Sequence, residues 1–224
     1  MRMTKVTVFD LDDTLLEGDS AQLWLEFLCE QNWPGAQTAL LNCSAMMDDY
    51  YRGALDMQLY MQHWARPLLG ASPCQLAPML ARFVSEVIEP RFFKQALARL
   101  QVHLQQGDHT LVISASPAIL VKAICDYLQV EHCIGIELEL LEGRFSGKAL
   151  LPYSLGEGKV IRLRQWFKAQ QLEAASQHLH TVYSDSINDV PLLQLSCQPQ
   201  VVNPNPVLLD IASAKGWTVH RWQR

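Results

Sequence analysis

The sequence predicts an α/β fold: a parallel sheet with helices on both faces, interrupted after its first strand by an inserted bundle of helices. Three observations carry this expectation. Short apolar runs at 6–9, 110–113 and 181–183 each end in acids or hydroxyls, as strands do when they deliver polar groups to the carboxyl edge of a sheet. The first two runs are separated by roughly a hundred residues, far more than one crossover helix needs. That interval carries apolar residues at helical spacing almost throughout.

The first strand, Val6-Thr7-Val8-Phe9, stops where the run Asp10-Leu11-Asp12-Asp13-Thr14 begins. With side chains alternating along a strand, Asp10 and Asp12 face one crevice while Leu11 points back into the protein. Two crowded carboxylates repel each other and need a cation, a shared proton or different tasks. That pattern suggests chemistry on an anionic substrate with a divalent metal. Taken alone, the segment also reads as a strand running into an Asp-rich turn.

The inserted stretch resolves into four amphipathic segments. Ser20 is placed to cap a helix carrying Leu23, Trp24, Phe27 and Leu28, ended near Pro34-Gly35. A second runs through Leu40, Leu41, Met46, Met47 and Tyr50, and a third carries Leu55, Leu59, Tyr60 and Trp64 before Pro67. The fourth holds Leu76, Met79, Phe83, Val84 and Val87 before Pro90. Four such helices can bury a shared core as a bundle. The expected division is a cap at 16–90 and a core made of 1–15 and 91–224.

In the core, Thr110–Ile113 forms a strand leading to Ser114-Ala115-Ser116-Pro117, where Ser116 reads as a helix N-cap with proline at the first helical position. A hydroxyl beside free N–H groups at a helix N-terminus is a ready phosphate site, and equally an ordinary cap. Residues 137–140 and 144–146, with Gly143 between them, predict a β-hairpin. Lys159 follows Gly156 and Gly158 and can reach the crevice as a point charge for a phosphoryl oxygen. A lone lysine is more often a surface residue, and these glycines do not form a nucleotide-binding loop. Finally, a strand through Val182 and Tyr183 delivers Asp185, and one helical turn returns Asn188 and Asp189 to the same side.

These pieces, in this order, resemble the haloacid-dehalogenase (HAD) superfamily of phosphotransfer enzymes: Asp10-x-Asp12-x-Thr14, the strand-end Ser114, Lys159 and Asp185-x-x-x-Asp189. More narrowly, 114–117, 156–159 and 183–193, with the closing segments 203–206 and 214–217, are similar to the phosphoserine-phosphatase-like branch, subfamily IB. The resemblance implies a Rossmann-like core with a C1-type helical cap, and a Mg²⁺-dependent phosphatase working through an aspartyl-phosphate. Chemistry and resemblance assign the same roles. Asp10 is the nucleophile and Asp12 the general acid and base. Asp10, the Asp12 carbonyl and Asp185 hold Mg²⁺, with Asp189 one layer further out, orienting a water or Lys159. Ser114, the Ala115 N–H, Lys159 and Asn188 bind phosphoryl oxygens. Asp13 is expected to point away in a structural or solvent role.

In phosphoserine-specific relatives an acid after the first motif and a cap arginine grip the amino and carboxyl groups of the substrate. Asp19 falls near the acid position. Spacing from Gly53 puts Trp64 at the arginine position, with Gln62 and His63 beside it and Arg66 reachable only by a register shift. That departure weakens phosphoserine as substrate and leaves Trp64 two readings: bundle core, or an aromatic wall for a ring-bearing ester such as histidinol phosphate. Two other functions compete. A phosphoacceptor signalling module would be shorter and lack the Asp185–Asp189 pair. A lipid-phosphate (phosphatidylglycerophosphate-type) phosphatase would need membrane-seeking cap helices, whereas this cap is interrupted by Asp48, Asp49, Arg52, Asp56 and Arg66.

Composition fits a compact enzyme. The chain has 224 residues, enough for a sizeable core plus an accessory domain, and a formal net charge of −5, which disfavours a nucleic-acid surface. Six cysteines (Cys29, Cys43, Cys74, Cys125, Cys133, Cys197) show no C-x-x-C spacing and suggest neither zinc nor a redox pair. The first apolar run is short and ends in acids, so no signal peptide or membrane helix is expected. The expectation is a cytoplasmic monomer or homodimer acting on a small phosphorylated metabolite, with no nucleic-acid or membrane partner.

Overall fold

The computed structural model describes residues 5–52, 54–172 and 179–224. Strand β1 (Val6–Phe9) leads into helices α1 (Ser20–Glu30), α2 (Ala36–Ser44), α3 (Met47–Tyr51), α4 (Met57–Ala65) and α5 (Pro73–Phe83). The chain returns through α6 (Lys94–Gln105), β2 (His109–Pro117), α7 (Ala118–Tyr127), β3 (His132–Ile136), β4 (Leu138–Leu141), β5 (Arg144–Ala149) and α8 (Glu157–Ala169). It closes with β6 (Leu179–Ser184), α9 (Val190–Leu193), β7 (Gln198–Val202), α10 (Pro206–Lys215) and β8 (Thr218–His220).

Every residue of β1 is buried, which suits a central strand in a sheet covered on both faces. The sheet order is β3-β2-β1-β6-β7-β8, with all neighbours parallel. Alternation along the strands divides the core. Val6, Val8, Leu111, Ile113 and Val201 pack with Val160, Leu163, Leu193 and Leu208 of α8, α9 and α10. Phe9, Val112, Tyr183 and Val202 face the other way, in one cluster with α6, α7 and the bundle. Successive strands run outward from β1 in one direction and from β6 in the other. The carboxyl ends of these two strands therefore flank the crevice where such folds bind ligands.

The bundle is built as its periodicity predicts, with corrections at its ends. Asp19, not Ser20, caps α1: its side chain accepts the Gln22 N–H, and Ser20 is a buried first-turn residue. The second segment breaks into α2 and α3, and Leu41 and Leu59 are exposed. Trp64 is fully buried, and its Nε1 donates to the Ala21 carbonyl at 3.0 Å. It is bundle core, not a wall of the crevice. Gly53, from which its register was counted, lies outside the described residues. Ser116 does not cap α7 either: β2 runs on through Pro117 and the helix starts at Ala118 with no side-chain cap.

The chain enters and leaves the bundle side by side. Glu17 N–H donates to the Arg91 carbonyl at 2.9 Å and Phe93 N–H to the Leu15 carbonyl at 3.0 Å. The β4–β5 hairpin forms as expected, but it reaches the bundle. Phe145 exchanges backbone hydrogen bonds with Gly70 and Ala71, each 2.9 Å. Among the described residues no helix is long and apolar enough to cross a membrane, and all six cysteines are free thiols.

Candidate active site

Asp10 and Asp185 each follow directly on one of the two strands that flank the crevice. The Asp10 N–H donates to the Tyr183 carbonyl at 2.9 Å, extending the β1–β6 ladder by one rung and fixing the carboxylate at the strand end. Leu11 is fully buried, as its position between two crevice-facing acids requires. Thr14 ties the two motifs together: its Oγ1 donates to Asp185 Oδ1 at 2.9 Å and accepts the Asp185 N–H at 3.0 Å. Asp13 takes a left-handed backbone, and its Oδ1 accepts the Gly18 N–H at 2.7 Å, a structural role in the loop.

Lys159 is 2 % exposed, contrary to what a lone lysine suggests. It enters from the first turn of α8, and its Nζ donates to Asp10 Oδ1 at 2.8 Å and Asp189 Oδ2 at 2.7 Å. Gly158 lets this turn sit close to its neighbour, because a Cβ there would overlap the Tyr153 carbonyl oxygen. Asp189 Oδ2 also accepts the Ser184 hydroxyl at 2.7 Å, and its Oδ1 is buried without a hydrogen-bond partner among the described residues. Asp189 thus holds the lysine, as expected.

Asp12 is held by a hydroxyl cluster. Its Oδ2 accepts Ser116 Oγ at 2.7 Å and Ser114 Oγ at 3.1 Å, and its Oδ1 accepts the Ser20 N–H at 2.7 Å. Ser20 Oγ in turn donates to Ser116 Oγ at 3.0 Å. The two serines read as helix caps therefore connect Asp12 to the start of the bundle. Nothing local in the chain marks them for this.

A cavity of about 510 Å³ opens above these groups. The residues singled out from sequence all line it: Asp10, Asp12, Asp19, Ser114, Ala115, Lys159, Asp185, Asn188 and Asp189. The bundle contributes Met47, Tyr50, Leu55, Met57 and Tyr60, whose place on the cavity nothing in their helical spacing marks. Arg66 and Trp64 are not among the lining residues, and Arg66 is exposed elsewhere.

Burial pushes the Asp10 carboxyl up to about 7, Lys159 opposes this, and Asp189 and Asp12 add to it. Burial, then Asp10 and Asp13, hold Asp185 well above the usual carboxylate range. Asp19 is likewise pushed up to about 7 by burial and by Asp12. Burial works against the Lys159 ammonium, yet Asp10 and Asp189 hold it above its ordinary value. The Tyr50 and Tyr60 phenols are raised by burial and by the surrounding acids, and so stay protonated. Among the described residues no three or more His, Cys, Asp or Glu side chains form a ready metal cage. Asp10 and Asp185, adjacent hard-oxygen carboxylates on the cavity, fit the few protein ligands of a largely hydrated Mg²⁺.

Comparison with known proteins identifies the family. The haloacid dehalogenase-like hydrolase family matches residues 7–194. The chain is 34 % identical over 218 residues to a histidinol-phosphatase of Neisseria meningitidis serogroup C, covering 97 % of this chain and 98 % of that one. It is 26 % identical over 220 residues to a phosphoserine phosphatase of Mycobacterium tuberculosis, covering 97 % and 70 %. A crystal structure of a protein of unknown function from Bordetella pertussis Tohama I superposes with a TM-score of 0.88 at 33 % identity, covering 97 % and 98 %. A substrate-bound phosphoserine phosphatase complex shares the fold, with a TM-score of 0.68 at 14 % identity over 100 % and 95 % of the two chains. With Asp10, Lys159, Asp185 and Asp189 converging at the sheet edge, and the family match spanning most of the sequence, the chain belongs to the haloacid dehalogenase-like hydrolases.

Proposed function

We propose that this phosphatase hydrolyses a small, amine-bearing phosphomonoester without a carboxylate, histidinol phosphate being the first choice. The observation that carries the proposal is the lining of the cavity. Glu17 and Asp19 offer negative charge to an ammonium, Tyr50, Tyr60, Met47 and Met57 offer phenols and thioethers to a ring, and no arginine of the bundle is present to receive a carboxylate. The histidinol-phosphatase relative supports the same choice. Asp19 uses Oδ1 to cap α1 at 2.8 Å, so its part in the amine site falls to the other oxygen.

Asp10 attacks phosphorus with the oxygen that Lys159 does not hold, forming an aspartyl-phosphate and splitting one hard displacement into two easier ones. Asp12 gives a proton to the leaving oxygen, then takes one from the water that hydrolyses the acyl phosphate. Ser114, the Ala115 N–H, Lys159 and Asn188 hold the phosphoryl oxygens where charge accumulates. Asp10, the Asp12 carbonyl and Asp185 would hold Mg²⁺, with Asp189 behind them. When bound, the ion screens the repulsion between the carboxylates and the phosphate. The crowded Asp10 and Asp185, both with raised affinity for protons, support such a site.

The division into core (1–15, 91–224) and cap (16–90) belongs to the same proposal, with the paired crossings 15–17 and 91–93 as its hinge. Six free thiols favour a reducing compartment, the cytoplasm. The test is kcat/KM on a panel of phosphomonoesters with Mg²⁺. Histidinol phosphate should exceed phosphoserine by at least about tenfold, and phosphoserine preferred over histidinol phosphate would overturn the substrate assignment.

A further inference from the structure

Beyond β8 the chain folds back over the sheet. Residues 221–224 cross from the edge strand over the ends of β7 and β6 towards the loop that follows β1. Asn203, the first residue after β7, holds this segment at two points. Its Oδ1 accepts the Trp222 N–H at 2.8 Å, and its Nδ2 donates to the Trp222 carbonyl at 3.2 Å. These bonds imitate one rung of a strand pair. Asn203 sits at φ +41°, a left-handed backbone that asparagine tolerates better than most residues. Arg221 adds a bond from Nη1 to the Pro204 carbonyl at 3.1 Å. The Trp222 ring is 7 % exposed, 5.9 Å from the Tyr183 ring and 5.4 Å from His220. Arg224 then pairs with Glu17 at 2.6 Å, and Trp222, Gln223 and Arg224 all line the substrate cavity.

We propose that residues 221–224 are a strap forming the core-side wall of the substrate cavity, that this wall selects among leaving groups, and that Asn203 is its positioning residue. The proposal rests on the phosphatase reading. On that reading the phosphoryl group is held by Ser114, the Ala115 N–H, Lys159 and Asn188, whereas the strap bonds to Asn203, Pro204 and Glu17, so the strap meets the rest of the substrate. The Glu17–Arg224 pair places one charge of each sign at the rim. A substrate ammonium competes with Arg224 for Glu17, and a substrate carboxylate competes with Glu17 for Arg224. Both side chains are about half exposed, and an exposed ion pair is weak, so either exchange costs little.

Two variants test this. Asn203→Gly removes both clamps while accepting the left-handed backbone, and Arg224→Gln removes the latch at the surface, where folding is not at stake. The readouts are kcat/KM for histidinol phosphate, phosphoserine and p-nitrophenyl phosphate with Mg²⁺, and the rate of tryptic cleavage after Arg221. Asn203→Gly should compress the spread of the three values by about fivefold, mainly through KM, and accelerate cleavage. Arg224→Gln should shift the preference between histidinol phosphate and phosphoserine by about two- to fivefold, the scale of an exposed pair. Equal loss on all three substrates, as a purely structural role gives, or an unchanged spread and preference, overturns the proposal. Should Asn203→Gly fail to fold, the preference of Arg224→Gln decides alone. If the wild-type enzyme ranks another ester above histidinol phosphate, the amine-ester reading fails, and the strap is still judged on the change in spread.

Discussion

Replacing Lys159 by methionine keeps the length of the side chain and removes its charge. The side chain is 3 % exposed, and its ammonium is shared between Asp10 Oδ1 at 2.8 Å and Asp189 Oδ2 at 2.7 Å. Removing one partner of a buried ion pair costs about 3–5 kcal/mol, because an uncompensated charge stays behind. Ser184 still donates to Asp189 Oδ2 at 2.7 Å, which argues for the lower end, about 3 kcal/mol. For a chain of this size that is a fall in Tm of about 6–12 °C. The loss has a pH signature. Asp10 is already pushed up to about 7 by burial, and without the lysine it rises further, while an unfolded aspartate titrates near ~3.9. A folded value raised above the unfolded one contributes stability at low pH that disappears as pH climbs through the folded value. The deficit of Lys159→Met against wild type is therefore level from about pH 4 to about pH 7, where Asp10 is protonated in both folded proteins, and grows above about pH 7, where only the wild-type Asp10 ionises. Thermal unfolding of both proteins followed by circular dichroism, with chelator present at pH 5 and pH 8, measures it. A deficit under about 1 kcal/mol at pH 8, or one of equal size at both pH values, would refute the reasoning.

Asp10→Asn should lose at least about a thousandfold in turnover while still folding, because an amide cannot form the acyl phosphate. Activity within tenfold of wild type would sink the nucleophile assignment. Chelation should stop the reaction and Mg²⁺ restore it, while Ca²⁺ inhibits through its larger and more flexible shell; full turnover in excess chelator would contradict that. Trp64→Phe should cost about 1–2 kcal/mol through the lost bond to the Ala21 carbonyl and lost packing, yet leave the ranking of substrates unchanged. A changed ranking would return Trp64 to the cavity wall.

The acids were legible in the chain because Asp10, Asp12 and Asp185 hang on the ends of apolar strands, where a period of two decides the face each presents. The serines were not. Ser20 and Ser116 carry ordinary capping signatures, but Asp12 lies within reach in three dimensions and takes the Ser20 N–H and the Ser116 hydroxyl instead. Asp19 shows the same limit from the other side: its carboxylate caps α1, a local role, while its position on the cavity comes from the fold. Tyr60 shares the helical periodicity of Trp64, and Tyr50 that of the segment before it, so only the packing of the bundle separates the two phenols near the acids from the indole in the core. Lys159 took its meaning from the resemblance, since burial of a single lysine leaves no trace in its neighbours along the chain. The strap has no periodicity at all, and it depends on a side chain 19 residues away.

The distribution of charge explains why the walls, and not the floor, must choose the substrate. In the proposed mechanism every phosphomonoester offers the same dianion to Asp10, Lys159 and the Ser114–Ala115 turn, so those groups cannot tell one ester from another. Asp13, Glu17 and Asp19 also line the cavity, as does Arg224, which is already paired with Glu17. One hydrogen bond between a carboxylate and an ammonium is worth about 1.5–3 kcal/mol, enough for roughly ten- to hundredfold in binding. Both phosphoserine and histidinol phosphate collect that gain. On the proposed reading phosphoserine also brings a carboxylate among these acids, whereas histidinol phosphate brings an imidazole towards Tyr50 and Tyr60. Discrimination then comes from the repulsive element, like charge against like charge, more than from any contact made only by the preferred substrate.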